Sequence, residues 1–382
     1  MTIADLQLGV SPLEQTVLPK PDPSVCVAEG YGLKIYVERG HLVVHDGIGR
    51  TRETRRFNRA TGRLRRLVVI GHSGFITLEA LLRLREVGAA LVHVHLDGSL
   101  ITTTAAERLH EAQLRRAQVL AAETAIGRAA IVELLRVKLE RQALVADQWL
   151  AEFKPSIVRN HRHCVLVSDA IREQANAMNL RHSSQELRKI ESIAGRYYWQ
   201  AWARFPIQFD RSWRGSLPEH WRRAGPRTSR IDRQWPRRAT TPAHALLNYG
   251  YAILESEALL AAYKMGFDPS LGLMHADVRY RSSLATDLME PLRPVIDELV
   301  LDLLTERTFR KGEFHETRRG VCRLGPDLAR ELAYYAPQLA TATAPIAERL
   351  ATALLRRKHS TPLTRRNHRD AVARSARRAL KD

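Results

Sequence analysis

Residues 266–294 read GFDPSLGLMHADVRYRSSLATDLMEPLRP. Glycine and proline bound a turn at the start of this stretch, and His275 stands just after it. Fifteen residues later Glu290 closes a short amphipathic run, with Asp287 one helical turn before it. Side chains three apart share a helix face, so Asp287 and Glu290 can point at one spot to which the preceding loop delivers His275. One imidazole with carboxylate oxygens suits a hard or borderline divalent cation such as Mg²⁺ or Mn²⁺. Pro291 has no N–H, and its ring crowds the carbonyl four residues back, so the helix expected over Ser283–Leu304 must bend there. The bend turns the two acids away from a regular helical surface.

Working outward, Thr241 and Pro242 form an N-cap and first-turn pair that opens a helix running to Met265 and stopped by Gly266. Ala105–Leu150 predicts one or two long helices, Gln185–Ala203 another, and Leu328–Leu355 one or two more, interrupted by Pro337 and Pro345. Before Ala105 the pattern is that of strands: Leu33–Val37, Leu42–His45, Leu67–Ile70 and Ala90–His95, with one helix over Leu78–Val87 closed by Gly88. The fold class expected is α+β, a small β-rich N-terminal domain followed by a larger all-α domain. The expected division is an irregular leader at 1–28, rich in proline, a β domain at 29–99, a helical domain at 100–355 and a basic tail at 356–382.

A chain of 382 residues exceeds one average domain, which agrees with that division. No apolar run approaches the roughly 18 residues of a membrane span, so no membrane association is expected. Met1–Leu18 lacks the basic start of a signal peptide. Cys26, Cys164 and Cys322 are far apart and odd in number, which argues for a reducing cytoplasm and against a disulfide framework. The net charge of +19 is concentrated: residues 50–66, 211–238 and 356–382 carry +7, +7 and +8, and the remainder is slightly acidic. Clustered arginine favours a polyanion, since guanidinium contacts phosphate bidentately. The alternative is a solvated charged face.

Within 211–238, nine arginines, among them Arg222, Arg223, Arg227 and Arg230, interleave with Trp213, Trp221 and Trp235. Arginine can hold phosphates while indole stacks on exposed bases; equally, the tryptophans can anchor a loop to the core. Glu191 lies beside the apolar stripe Ile190, Ala194, Tyr197 and Ala201 of its helix, where a carboxylate needs a reason, and Gly195 one turn on leaves room for a ligand. Read singly, His275 suits a structural histidine, and Asp287 and Glu290 suit surface charge. His161, His163 and Cys164 lack a second ligand cluster for zinc. Neither a nucleophile elbow nor a phosphate-binding glycine loop is present.

Taken together, residues 243–295 closely resemble the signature of the CRISPR-associated spacer integrases, the Cas-one family. The resemblance lies in Ala245-Leu246-Leu247-Asn248-Tyr249-Gly250-Tyr251, the turn Gly266–Pro269, Gly272-Leu273-Met274-His275, Ser283-Leu284, and the run Asp287 to Pro294. Upstream, Glu191 with Ala194, Arg196, Tyr197 and Trp199 is similar to the family's glutamate helix, and Gln118 with Lys138–Gln142 to its first long helix. The similarity spans roughly residues 30–305. Ser192 replaces a usual glycine and His244 a common asparagine, and the segment 211–238 is longer than in a minimal member.

The resemblance implies a metal-dependent DNA endonuclease/integrase that inserts captured DNA into a CRISPR array by 3′-hydroxyl transesterification. By position, Glu191, His275 and Glu290 would bind Mg²⁺ or Mn²⁺, with Asp287 supporting; His275 could instead act as a general acid or base. Arg222, Arg223, Arg227, Arg230, Trp221 and Arg293 are the expected DNA-contacting residues. Implied partners are double-stranded DNA with 3′ ends or overhangs, CRISPR repeat DNA, a second copy joined through the N-terminal domains, and the small second adaptation protein, Cas-two. The alternatives are the same core serving a casposon-like transposition integrase, or an architectural DNA-binding protein without catalysis.

Overall fold

The computed structural model of the protein describes residues 22–46, 52–60, 62–104, 111–151, 156–159, 163–227, 238–275 and 282–355. The tail at 356–382, Arg230 and Trp235 lie outside the described residues.

The N-terminal region holds β1 (Val25–Glu29), β2 (Leu33–Glu38), β3 (His41–Asp46), β4 (Glu53–Phe57), β5 (Arg66–Ile70), β6 (Gly74–Ile76), α1 (Leu78–Glu86), β7 (Ala90–Val94) and β8 (Leu100–Thr104). They form two four-stranded sheets, ordered β1-β5-β7-β8 and β4-β3-β2-β6. In the first sheet β1, β5 and β7 run parallel and β8 antiparallel. A parallel sheet is usually covered on both faces, so its strands are continuous apolar runs. Here Val25, Val27, Val68, Ile70, Val92 and Val94 face the helical region, while Cys26, Ala28, Leu67 and Leu91 face the second sheet and α1.

The sequence reading placed no strand before Leu33, yet β1 begins at Val25, two residues beyond Pro23. Its VCVAE run has no alternation because both faces are buried. Strand β4 escaped for the opposite reason: ETRRF is an exposed edge whose arginines resemble a solvated run. Glu29, at the end of β1, is buried; burial lifts its carboxyl to about 7, and Arg330 opposes that shift.

The helical region contains α2 (Ala112–Ala121), α3 (Ala125–Val145), α4 (Val167–Ala177), α5 (Ser184–Trp202), α6 (Pro242–Met265), α7 (Ser283–Met289), α8 (Arg293–Glu306), α9 (Pro326–Ala333) and α10 (Ala336–Leu354). Helix α3 continues into one π-helical turn, Ala146–Leu150. This region is not all-α as expected. It includes the hairpins β9 (Ser156–Arg159) with β10 (His163–Leu166), and β11 (Phe314–Glu316) with β12 (Cys322–Leu324). Their strands are three or four residues long, too short to show a period. None of the described helices is long and apolar enough to cross a membrane.

Helix α6 is the axis of the helical region. Thr241 caps it, with Pro242 in its first turn, and it is apolar nearly all round, as a central helix must be. It packs against α7, α8, α9 and α10 and, on the sheet side, against β8. Arg66 of β5 joins the two regions by a buried fork to Glu257 of α6, with Nε–Oε1 and Nη2–Oε2 both 2.7 Å.

Candidate metal and nucleic-acid site

The site begins where α6 stops. Gly266 adopts φ +88, a left-handed conformation that ends the helix at little cost. The turn that follows is gripped by Gln118 of α2. Its amide donates to the carbonyls of Asp268 (2.7 Å) and Leu271 (2.8 Å) and accepts from Asp268 N–H (3.0 Å). Arg115, one turn earlier on α2, donates to the Gly266 carbonyl at 3.2 Å. These bonds consume backbone groups that the turn leaves without partners.

Beyond the turn the chain wraps around the Asp287 carboxylate. Leu273, Met274 and His275 donate their N–H groups to it at 2.6, 3.1 and 3.2 Å. Gly272 allows the wrap, since a Cβ there would lie 2.6 Å from the His275 carbonyl and 3.2 Å from Asp287 Oδ2. Asp287 is fully buried and receives His275 Nδ1 at 2.5 Å. A carboxylate only accepts, so Nδ1 carries the proton, and in the neutral ring it is Nε2 that presents a lone pair. Arg188 of α5 donates to the Met274 carbonyl at 2.6 Å and fixes the loop from a third side.

The bend expected at Pro291 is present. Helix α7 ends at Met289, residues Glu290–Leu292 form a 3₁₀ turn, and α8 starts at Arg293. The Asp287 carbonyl takes the N–H of Glu290, three residues on, in place of the N–H that Pro291 lacks. The tighter turn aims Glu290 inward. Its Oε1 accepts from Arg293 Nε at 2.9 Å and lies 4.0 Å from His275 Nε2. Its Oε2 lies 2.7 Å from Lys138 Nζ of α3, yet has no well-aligned hydrogen bond. The same ammonium also hydrogen-bonds to Glu191 of α5.

Burial pushes the Glu290 carboxyl up, but Arg293 and Lys138 outweigh it and hold the group at about 2. Burial pulls Lys138 down, and Glu290 with Glu191 overcomes that and leaves it raised. Arg293 is raised, because Glu290 and its neighbours outweigh its burial.

Behind Glu290, the Arg293 guanidinium lies 4.9 Å over the Tyr251 ring. Tyr251 and Tyr198 both donate to Asp297, the latter at 2.9 Å. Burial lifts Asp297 to about 6, against the pull of both tyrosine bonds and both nearby arginines. Arg227 lies 5.5 Å from the Trp199 ring and 5.9 Å from that of Tyr251, and donates to Asn248 at 2.8 Å. Arg227 and Arg293 therefore flank one aromatic ring beside the acids.

Not every expected contact residue is part of this cluster. Arg222 and Arg223 are exposed on a separate short 3₁₀ segment, Glu219–Arg222, and its end, where Arg222 pairs with Glu219 at 2.9 Å. Trp221 must be corrected: it is 1 % exposed, donates to the Thr240 carbonyl at 3.1 Å and meets Trp213 and Phe314 edge-on. No ring face remains for a base, and Trp213, also buried, is a second anchor. Of the two readings of this segment, anchoring describes both tryptophans.

As they stand, no three His, Cys, Asp or Glu side chains among the described residues are grouped closely enough to hold an ion. The donor set nevertheless suits one. Glu290 offers a buried oxygen without a hydrogen bond, His275 a bare Nε2, and Asp287 the acceptor that orients a ligating imidazole. Glu191 is held by Lys138, and open space faces Gly195 one turn along α5. Asp287 is occupied with four donors and serves as the orienting group rather than as a ligand.

Lys138, Arg188, Tyr251 and Asp297 join the site without a role expected from the sequence. Lys138 has two signals there: it opens the stretch similar to the family's first long helix, and it lies in the buried stripe of Leu134, Leu135, Leu139 and Gln142. Asp297 had a similar signal, an acid within the apolar run of α8.

The sequence matches the family described as CRISPR associated protein Cas1 over residues 27–335. It is 29% identical over 313 residues to a CRISPR-associated endonuclease Cas1 of Archaeoglobus fulgidus, covering 80% of this chain and 85% of the relative. The fold is similar to that of a casposase solved bound to its integration product, with TM-score 0.70 and 21% identity, over 89% of this chain and 93% of the other. It is also similar to a Cas1 protein from Thermotoga maritima, with TM-score 0.61 and 17% identity, over 87% and 98% of the two chains.

Proposed function

Because the chain belongs to the Cas1 family, we propose that it is a divalent-metal-dependent DNA endonuclease/integrase that joins DNA 3′ ends to a CRISPR array by transesterification. The observation that carries this reading is the His275–Asp287 hydrogen bond, which leaves Nε2 bare and 4.0 Å from Glu290 Oε1. A purely architectural DNA-binding protein has no use for an oriented imidazole facing a buried, ionised carboxylate.

In this proposal Glu290, His275 and Glu191 hold Mg²⁺ or Mn²⁺. The ion, when bound, activates the attacking oxygen and neutralises charge growing on the phosphorus. The chain's own residues prepare the site. Asp287 fixes the imidazole tautomer, and Arg293 with Lys138 keeps Glu290 ionised down to acid pH. Arg227 and Arg293 supply donors to phosphate oxygens, Arg222 and Arg223 contact the DNA backbone further out, and Arg230, outside the described residues, is a further proposed DNA contact. In strand joining the 3′-hydroxyl oxygen bonds to phosphorus and loses its proton. The bond to the leaving 3′-oxygen breaks, and that oxygen is protonated.

The N-terminal region at 29–99 is the proposed dimer surface. It exposes an apolar set: Leu78 (85 % exposed) and Leu82 of α1, Phe75 (54 %) of β6, and Tyr31 between β1 and β2. The family resemblance adds Cas-two and CRISPR repeat DNA as partners. The same core acting in transposition, on element ends rather than at repeats, is the second reading, favoured by the fold shared with a casposase.

The test incubates the purified protein, with and without its Cas-two partner, with short duplexes bearing 3′-hydroxyl ends and a supercoiled plasmid carrying repeats. Joined product should appear with Mn²⁺, vanish with chelator and be absent in Glu290→Ala. Product that persists in Glu290→Ala, or that appears with no metal at all, sinks the proposal. Insertion at element-like sites instead of repeats selects the transposition reading.

A further inference from the structure

Desolvating an ammonium is costly unless opposite charges compensate it. Lys138 is only 7 % exposed, too enclosed to serve as a surface contact for phosphate. It hydrogen-bonds to Glu191 and lies 2.7 Å from Glu290 Oε2, so two carboxylates share one cation. The opposite oxygen of Glu290 faces Arg293 and His275. The ammonium thus lies between the two glutamates, the imidazole faces the other oxygen of Glu290, and the three candidate ligands are not grouped closely enough to hold one ion as they stand. An ion that takes Glu191, Glu290 and His275 together must first detach Glu191 from Lys138.

We propose that Lys138 is a built-in stand-in cation, which holds Glu191 and Glu290 together in the metal-free protein and is displaced from Glu191 when a divalent ion binds. This rests on the metal-dependent reading above and makes Lys138 a positioning residue that sets metal affinity. Glu191, Glu290 and Asp287 already have the cations Lys138 and Arg293 among their direct partners, with Arg188 and Arg227 nearby. A divalent ion adds positive charge to this site, and a DNA phosphate offsets it. Metal and DNA consequently load in a mutually favourable way.

The experiment measures Mn²⁺ binding by calorimetry and thermal unfolding with and without Mn²⁺, for the wild type, Lys138→Met and Lys138→Arg. Lys138→Met should melt lower without metal, bind Mn²⁺ about tenfold more tightly and gain more in Tm on adding it. Lys138→Arg, whose fork grips both carboxylates, should bind Mn²⁺ several-fold more weakly. A lysine with only a structural role predicts weaker binding in both variants; that result, or wild-type affinity in either, overturns the inference and leaves the metal reading intact. Absence of Mn²⁺ binding by the wild type overturns both. Should Lys138→Met fold only when Mn²⁺ is present, as seen by circular dichroism, the inference is supported. Should it never fold, Lys138→Arg decides: weaker binding supports, equal binding overturns.

Discussion

Two buried ion clusters in this protein are built on opposite plans. At the seam between sheet and helices, Arg66 and Glu257 form a closed fork, each carboxylate oxygen meeting one guanidinium nitrogen at 2.7 Å. In the site, one ammonium is divided between Glu191 and Glu290, and Glu290 keeps a buried oxygen without an aligned donor. The first arrangement has nothing left to bind and serves to hold two regions together. The second is under-satisfied, as a site must be if it is to exchange internal partners for a ligand. Burial and charge do not separate these two clusters; the completeness of their hydrogen bonds does.

The sharpest way to break this comparison is Glu257→Ala, which leaves Arg66 buried and unpaired. It should cost about 3–5 kcal/mol in urea unfolding, and a loss below about 1 kcal/mol would show that the seam does not depend on the fork. Smaller in effect is Asp287→Asn, which keeps the shape but turns one of the two acceptor oxygens into an NH₂, so the loop N–H groups and His275 Nδ1 can no longer all be accepted. Mn²⁺ affinity should fall about 10–100-fold with the chain still folded, and unchanged affinity would remove Asp287 from its orienting role.

Glu29 tests burial without a full partner. Its folded carboxyl titrates at about 7, above the ordinary 4.5, so the folded protein binds the extra proton between those values. Stability contributed by this group therefore declines as pH rises from 4.5 to 7, and Glu29→Gln should flatten the unfolding midpoint over that window. The mildest change is Arg222→Gln, which breaks an exposed pair with Glu219. Stability should move by less than about 0.5 kcal/mol, while the salt dependence of DNA binding should lose about one charge's worth of slope. A stability loss with unaltered DNA binding would reverse that assignment.

Local chemistry decided which elements were legible in the sequence. Thr241, Pro242 and Gly266 marked both ends of α6, because capping and left-handed backbone are properties of single residues. Pro291 marked the break before α8 for the same reason. His275, Asp287 and Glu290 were legible as a group because they lie within sixteen residues of one another. Lys138 was not, since its meaning arises from two acids 53 and 152 positions away. Trp221 misled for a related reason: arginines on either side suggest a nucleic-acid surface, and only packing against Trp213 and Phe314 reveals an anchor. Strand β1 was hidden by burial on both faces, which erases the alternation that marks a half-covered strand.

The loop bearing His275 is tied to three helices, by Gln118 of α2, Arg188 of α5 and Asp287 of α7. The first and last of those helices, α2 and α7, lie more than 150 residues apart in the chain. A nascent chain emerging through α5 already carries Glu191, but has no ordered imidazole to set against it. The setting of His275 thus forms only once α2, α5 and α7 have packed together, and a partly made or partly melted chain carries the acids without an oriented imidazole.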